Sequence, residues 1–198
     1  MDKIKEIIIG TNNEGKSKEI SDLLPSGIKK HFPKEFKLAS PKETGKSFKE
    51  NSFIKASYFS KKTNLICLAD DSGLEIDLLK GKPGIYSSRW SKEKNSFDSA
   101  IKKVFEELKN IEKNWENNNS ARFVCCMTLF WPNGHSFFSE GIIKGRISQT
   151  KKGKNGFGYD PIFIPDGYNQ TFGEMNSKLK MSMDHRFNAF TKIKNFFI

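Results

Sequence analysis

Short apolar runs alternate with segments of helical periodicity along the first part of the chain. Three isoleucines before Gly10 form a run of the length of a buried strand, and a polar loop and an apolar stripe at helical spacing follow. A second continuous apolar run leads into the acidic pair Asp70-Asp71. Here the pattern predicts strands at residues 6–9, 36–40 and 65–69, and helices at 17–24 and 49–61.

The second half of the chain contains an amphipathic helix and a hairpin. Apolar residues recur at helical spacing from Ser96 to Glu112. The turn sequence Pro132-Asn133-Gly134-His135 separates two strand-like runs, 122–131 and 136–140, and so predicts a β-hairpin. The remaining predictions are loops at 116–120 and 151–159, a strand at 141–148 and a closing helix at 186–197. This alternation predicts an α/β fold, and the hairpin implies a mixed central sheet.

Composition narrows the class of protein. The 198 residues fit a single domain, 1–198, and the net charge of +11 attracts polyanions. The lysines are scattered and form no basic tail, which favours a general bias over a nucleic-acid arm. No apolar stretch approaches the ~20 residues that a membrane span needs. The three cysteines form no CxxC pair, so we expect a cytoplasmic protein in a reducing compartment.

The segment Gly10–Ser17 allows competing interpretations. A loop between a strand and a helix offers backbone N–H groups to phosphate, and Lys16 adds a cation, with Thr11 and Asn13 as further donors or acceptors. The letters also match the P-loop pattern G-x-x-x-x-G-K-[ST], so a P-loop kinase or NTPase is an alternative. Glu14 and its bulky neighbours argue against that cradle. For the segment itself, an ordinary turn is a further alternative. For the whole protein, a non-catalytic nucleic-acid-binding protein is another.

The run Asp70-Asp71-Ser72-Gly73 predicts a metal site. Two adjacent carboxylates repel each other unless a cation neutralises them, and Mg²⁺ prefers one or two carboxylates with water and phosphate. The preceding apolar run places the pair at the carboxyl end of a predicted strand, where ligands commonly bind in α/β sheets. A polar turn at the end of the strand is the plain alternative.

The region just upstream of this run offers further polar groups. Glu43 lies in a polar loop and is a candidate third carboxylate for the metal. Asn51 and Lys55 are four residues apart and therefore share a helix face. That face either directs an amide and an ammonium at one phosphate or is simply solvated.

Six ordered motifs give the chain a resemblance to the inosine triphosphate pyrophosphatase family. The first is a T-x-N-x-x-K loop at residues 11–16, and the third is the acidic run with its continuation through residues 81–89. The others are Glu43-Thr44-Gly45 with Phe48, Glu50-Asn51 and Lys55-Ala56; Ala121-Arg122-Phe123; Gly156 through Pro161; and Glu174, Lys180 and His185-Arg186. The motifs span nearly the whole chain, which a lone P-loop string does not.

The resemblance implies a fold and a reaction. It implies a single ITPase-like domain with an elongated mixed sheet flanked by helices and a substrate cleft between two lobes. It implies hydrolysis of ITP, dITP and XTP to the nucleoside monophosphate and pyrophosphate by attack at the α-phosphorus, which keeps these nucleotides out of DNA and RNA. It also implies a homodimer, with no need for nucleic acid or a membrane.

The resemblance also implies roles for single residues. Glu43 and Asp71 would hold Mg²⁺, with Mn²⁺ as a possible substitute, while Asp71 orients or deprotonates the attacking water and Asp70 supports it. The implied triphosphate-binding residues are Thr11, Asn12, Asn13, Lys16, Lys55 and Ser72. The implied base-site residues are Phe157, Gly158, Tyr159, Asp160, Lys180, His185 and Arg186. One departure is Asp184, where the family usually has Ser; we expect an acid there to pair with Arg186 and alter base affinity.

Overall fold

The computed structural model describes residues 3–90 and 97–198, and within them strands and helices alternate. The strands are β1 (Glu6–Ile9), β2 (Lys29–His31), β3 (Cys67–Ile76), β4 (Lys82–Pro83), β5 (Ser120–Phe130), β6 (Ser136–Ile147) and β7 (Phe163–Pro165). The α-helices are α1 (Glu14–Leu23), α2 (Phe48–Thr63), α3 (Phe97–Ile111), α4 (Ser177–Met181) and α5 (His185–Thr191). Ser96, the predicted first residue of the amphipathic helix, lies outside the described residues.

The strands form one mixed sheet in the order β2-β1-β3-β5-β6-β7, with β4 paired to β3. Strand β1 runs parallel to β2 and β3, whereas the β3–β4 and β6–β7 pairs are antiparallel. The predicted α/β fold with a mixed sheet is therefore confirmed. None of the described helices is long and apolar enough to cross a bilayer.

The chain divides into two compact units. Unit 1 contains residues 1–71, 125–141 and 186–198, and unit 2 contains residues 72–124 and 142–185. Both units therefore consist of segments that are distant in the sequence. The prediction that the chain has no separable second domain stays a prediction.

Each unit has its own hydrophobic core. In unit 1, isoleucines of β1 and the apolar side of α1 pack with alternate residues of β5 and with the aromatic C-terminal segment. In unit 2, the apolar stripe of α3 packs with Leu74, Trp115 and an aromatic group from β5 and β7. Phe123 and Phe163 have ring centroids 4.7 Å apart within that group. The amphipathic pattern of α3 thus predicted its buried face correctly.

Local signals explain the elements that were predicted well. Asn13 caps α1 and Ser47 caps α2, each by accepting a hydrogen bond from a backbone N–H in the first turn. The hairpin between β5 and β6 closes where Gly134 adopts a φ of 94°, a backbone conformation that favours glycine. The predicted strand at 141–148 is the continuation of β6.

Three predicted elements are wrong. Residues 36–40 form no strand, because Pro33 starts a 3-10 helix and Lys37 ends it in the left-handed conformation; the strand beside β1 is residues 29–31. The closing α-helix ends at Thr191, and a separate 3-10 turn follows at Lys194–Phe196. Strand β3 does not end before the acidic pair but continues through it to Ile76.

Candidate active site

The N-terminal loop is stabilised by its own polar side chains. Thr11 Oγ1 accepts a hydrogen bond from Asn13 N at 3.1 Å, and Asn13 Oδ1 accepts one from Lys16 N at 3.0 Å. Asn12 Nδ2 donates to Leu38 O at 3.2 Å. Helix α1 begins at Glu14, so Lys16 lies in its first turn instead of closing a glycine cradle ahead of the helix.

Asp70 lies in the middle of β3 and is fully buried. Its Oδ2 atom is 3.3 Å from Lys16 Nζ and accepts a hydrogen bond from Arg186 Nη2 at 3.0 Å. Burial favours the neutral acid, but the charges of Lys16 and Arg186 outweigh burial and hold the pKa of Asp70 below its ordinary value. The Oδ1 atom is buried and has no hydrogen-bond partner among the described residues.

Arg186 is the second residue of α5, and its side chain is 1% exposed. Its guanidinium donates to Glu19 of α1 as well as to Asp70. The side chain therefore joins α5, α1 and β3 through charge-assisted hydrogen bonds. Asp184, which was expected to pair with Arg186, is buried as well, and that pairing stays a prediction.

Asp71 has a different set of partners. Lys55 Nζ donates to Asp71 Oδ1 at 3.0 Å and to Glu43 Oε1 at 2.8 Å, and Asn51 Nδ2 donates to Asp71 Oδ2 at 3.1 Å. Consecutive residues of a strand point to opposite faces, which explains why the two aspartates have separate partners. Burial raises the pKa of Asp71 by more than the charges of Lys55 and Lys16 lower it.

We call this group of unit 1 the acidic cluster. Four of its members are carboxylates and three are cationic: Glu19, Glu43, Asp70 and Asp71, and Lys16, Lys55 and Arg186. The cations explain why β3 continues through two adjacent acids, because each carboxylate has a positive partner that removes the repulsion. Both Asn51 and Lys55 are buried, so the solvated helix face considered for them is excluded.

The acidic cluster suits a hard divalent cation. No group of three or more His, Cys, Asp and Glu side chains is placed to hold a metal within residues 3–90 and 97–198. However, Mg²⁺ needs only one or two protein carboxylates when water and phosphate complete its shell. Glu43 and Asp71 share the Lys55 ammonium, and Asp70 adds a buried oxygen that lacks a hydrogen bond within the described chain. The donor chemistry of the predicted pair therefore fits the ion.

The predicted base-site residues of unit 2 surround a buried ion pair. Asp160 Oδ2 accepts hydrogen bonds from Lys180 Nζ at 2.7 Å and from Phe157 N at 2.8 Å. Lys180 Nζ also lies 5.2 Å from the centroid of the Phe157 ring, within range of a cation–π interaction. We call Asp160 and Lys180 the loop pair. It ties the glycine-containing segment 156–158 to α4.

Two other predicted residues of unit 2 have structural partners. Tyr159 is buried and donates from its hydroxyl to Ser87 O at 2.9 Å, and burial raises the pKa of this phenol. The His185 ring stacks on Phe123 with centroids 4.8 Å apart. Ser72 is half-buried in β3. None of these contacts contradicts a role towards substrate, and none tests it.

The sequence did not indicate Glu19 as a site residue, and it left the role of Asn51 undecided between a phosphate contact and a solvated helix face. Glu19 lies three residues after Lys16, so the two share one side of α1, and that spacing was the available signal. His185 and Arg186 were predicted to act as one pair of donors. In the structure, Arg186 contacts carboxylates of unit 1, whereas His185 stacks on an aromatic ring of unit 2.

A mixed sheet and a buried cluster of carboxylates and cations define an α/β protein with a concentration of buried charge in unit 1. Comparison with known proteins identifies its family. The model of the Ham1 family matches residues 7–196, and the chain belongs to the Ham1 family. The resemblance to the inosine triphosphate pyrophosphatases is thereby confirmed, and the P-loop alternative is wrong.

Individual relatives cover nearly the whole chain. The dITP/XTP pyrophosphatase of Zymomonas mobilis is 41% identical over 188 residues, which are 94% of this chain and 89% of that protein. The dITP/XTP pyrophosphatase of Rhodospirillum centenum is 40% identical over 94% of this chain and 92% of its own. Among solved structures, a HAM1 protein from Coxiella burnetii has a TM-score of 0.87 at 35% identity, with 97% of this chain and 98% of that chain covered.

Proposed function

We propose that this protein is a nucleoside triphosphate pyrophosphohydrolase that removes ITP, dITP and XTP. The products are the nucleoside monophosphate and pyrophosphate, and the role is to keep non-standard purines out of DNA and RNA. The acidic cluster is the observation that carries this proposal, because it combines two candidate metal-holding carboxylates with the cations Lys16 and Lys55. The relatives from Zymomonas mobilis and Rhodospirillum centenum are dITP/XTP pyrophosphatases, which supports the substrate class.

Glu43 and Asp71 would hold the Mg²⁺ ion, with Mn²⁺ as a possible substitute. When bound, such an ion neutralises phosphate charge and lowers the pKa of a water molecule. Asp71 would also orient the attacking water and take its proton. Asp70 is a supporting acid, because Arg186 holds its Oδ2 atom.

The triphosphate would be bound by Lys16, Lys55 and Ser72 with the loop 11–13. Lys16 and Lys55 supply positive charge for the phosphate oxygens and the leaving pyrophosphate. The side chains of Thr11, Asn12 and Asn13 already hold the loop through local hydrogen bonds. Their main contribution is therefore to fix the backbone at the start of α1.

Base selection would fall to the residues that the family resemblance implies for the base site. Phe157 offers a half-buried ring for stacking, and Gly158 follows it in the chain. Hypoxanthine and xanthine carry a 6-oxo group where adenine carries an amine, so donors such as His185 and Arg186 favour them. An unpaired donor facing adenine is costly. Tyr159, Asp160 and Lys180 would shape the rim of this site.

Product analysis tests the proposal. The protein is incubated with Mg²⁺ and ITP, XTP, GTP or ATP, and the products are identified by ion-exchange chromatography and a pyrophosphate assay. We expect IMP and pyrophosphate from ITP, with much slower turnover of ATP. Orthophosphate and a nucleoside diphosphate would contradict attack at the α-phosphorus. Hydrolysis of all four at equal rates would contradict the substrate class.

The proposal also includes a homodimer and a cytoplasmic location. The three cysteines, all within the described residues, are buried free thiols, which supports a reducing compartment. Sedimentation equilibrium tests the dimer, and cell fractionation tests the location.

A further inference from the structure

Asn51 connects two parts of the acidic cluster. This residue lies near the start of α2 and is fully buried. Its Oδ1 atom accepts a hydrogen bond from Gly45 N at 2.9 Å, and its Nδ2 atom donates to Asp71 Oδ2 at 3.1 Å. One short side chain thus contacts both the loop that carries Glu43 and the strand that carries Asp71.

The two contacts determine how the amide is oriented. A backbone N–H can only donate, so the carbonyl oxygen of Asn51 must face Gly45. The amide nitrogen then faces Asp71, whose carboxylate can only accept. Each polar atom of Asn51 therefore has a protein partner in a buried place, and the phosphate contact considered for Asn51 from the sequence stays a prediction.

The loop before α2 is packed closely against the helix at this point. A Cβ atom at Gly45 would lie 2.6 Å from Glu50 Cβ and 2.7 Å from Asn51 Oδ1, closer than real contacts. Lys46 N also donates to Glu50 Oε2 at 2.7 Å. The backbone that follows Glu43 is therefore held against the first turn of α2 by two side chains of that helix.

Lys55 and Asn51 act on Asp71 in different ways. Lys55 attracts both Asp71 and Glu43 by charge, but its long stem can follow them if they move. Asn51 has a short stem with two rotatable bonds, so its two hydrogen bonds fix a position. Asp71 Oδ1 then faces Lys55 while Oδ2 faces Asn51.

We propose that Asn51 is a positioning residue that sets the distance between Glu43 and Asp71 and the orientation of the Asp71 carboxylate. This inference rests on the proposed function, in which these two acids hold the metal. Partners of metal-binding carboxylates typically change metal affinity or activity by about 10- to 100-fold when they are removed. We assign Asn51 a positioning role because it acts through Gly45 and Asp71, its two hydrogen-bond partners.

The test compares two variants of Asn51 with a matched control. Asn51→Ala removes both hydrogen bonds. Asn51→Asp keeps an acceptor for Gly45 N but cannot donate to Asp71. Ser52→Ala removes a neighbouring, equally buried polar group of α2, whose hydroxyl bonds to Thr128 of β5. For each protein, the hydrogen-exchange rate of the Gly45 amide is measured without metal. The affinity for Mn²⁺ is measured from the free Mn²⁺ signal in electron paramagnetic resonance.

The Mn²⁺ titration is done with and without α,β-methylene-ITP, a nucleotide that cannot be cleaved at the proposed bond. We expect Asn51→Ala to exchange faster at Gly45 and to bind Mn²⁺ about 10- to 100-fold more weakly, while Ser52→Ala changes neither. We expect the Gly45 amide of Asn51→Asp to stay protected from hydrogen exchange. The rate of pyrophosphate production by this variant should fall by about tenfold or more.

Several outcomes would overturn the inference. One is Mn²⁺ affinity in Asn51→Ala equal to that of Ser52→Ala. If Asn51→Ala does not fold, full pyrophosphate production and wild-type Mn²⁺ binding in Asn51→Asp would have the same meaning. A wild-type protein that binds no Mn²⁺ would overturn it too. Failure of the proposed function is a separate result: wild type would bind Mn²⁺ with an Asn51-dependent affinity but release no pyrophosphate from ITP.

Discussion

The acidic cluster of unit 1 and the loop pair of unit 2 both bury carboxylates beside cations, but their charge balance differs. The acidic cluster contains four carboxylates and three cations, and Asp70 Oδ1 has no hydrogen bond within the described chain. The loop pair contains one of each, and a single oxygen of Asp160 accepts from both Lys180 and Phe157 N. A buried carboxylate oxygen without a hydrogen bond suits a further cation, so the acidic cluster is the better candidate for one.

This difference separates two uses of buried charge. A buried pair of opposite charges holds the local structure in place. Removing one of the two charges leaves the other uncompensated. A cluster with surplus negative charge holds that charge ready for a ligand at a cost in stability. Removing one acid from the acidic cluster should therefore affect activity first, and removing one from the loop pair should affect stability first.

The largest effect is expected for Asp71→Asn. Because the amide is nearly isosteric but cannot take a proton, we expect kcat to fall by about 10²- to 10⁴-fold while nucleotide binding persists. Steady-state kinetics with ITP and a binding titration measure the two quantities. Asp77→Asn, an exposed acid just after β3, is the control and should keep full activity. An active Asp71→Asn enzyme would remove Asp71 from the mechanism.

Breaking the loop pair should mainly destabilise the protein. Asp160→Asn removes the negative charge that lies 2.7 Å from the buried Lys180 ammonium, so we expect the free energy of unfolding in urea to fall by about 3–5 kcal/mol. Adding Lys180→Met should restore much of the loss. Glu106→Gln, which removes an exposed ion pair of α3, is the control and should cost under about 1 kcal/mol. An equally small loss for Asp160→Asn would mean that the loop pair is solvated.

A glycine beside the loop pair gives a smaller, graded effect. Gly156 has a φ of 71°, and a Cβ atom there would overlap Asp160 Oδ2. Gly167 has a φ of 82° but open space around it, so it controls for backbone strain alone. We expect each Ala variant to lose about 1–2 kcal/mol from the left-handed backbone, and Gly156→Ala to lose more. Equal losses in urea unfolding would show that the loop yields to the methyl group.

A half-buried histidine outside both groups gives the smallest expected effect. His31 bonds to Glu35 and to Glu6, each at 2.8 Å, and these carboxylates raise the pKa of His31. A raised pKa means that its stabilising effect is complete below the unfolded value of about 6.5 and is lost as the pH rises through the folded value. Wild type should therefore exceed His31→Gln in Tm by more at about pH 6 than at about pH 9. A difference that is constant with pH would mean that the ring acts without its charge.

Elements with local signals could be predicted from the sequence. The hairpin is one example, because its turn residues and its alternating strands lie within one short segment. Helix α3 is another, since its apolar stripe alone indicates the buried face. Strand β3 could not be predicted in full, because two adjacent acids look like a turn until their cationic partners are known. One of these partners, Arg186, is 116 residues away from Asp70.

The candidate site was predicted as a set of residues but not as a set of contacts. The motifs identified Asp70, Asp71, Lys55 and Arg186 through the family resemblance. They did not show that Arg186 binds Glu19 and Asp70, or that Asn51 bridges Gly45 and Asp71. Apart from the contact between Asn51 and Gly45, which are six residues apart, those contacts join different elements, and sequence spacing contains no information about them.

The sequence by itself determined the fold class, the family and the residue types that the chemistry needs, because periodicity and motifs are properties of short segments. Only the tertiary structure decided which charges meet. It assigned Lys16 and Arg186 to Asp70, Lys55 and Asn51 to Asp71, and Lys180 to Asp160. A carboxylate's role depends on its burial and on the cations around it, and both are set by packing between distant segments.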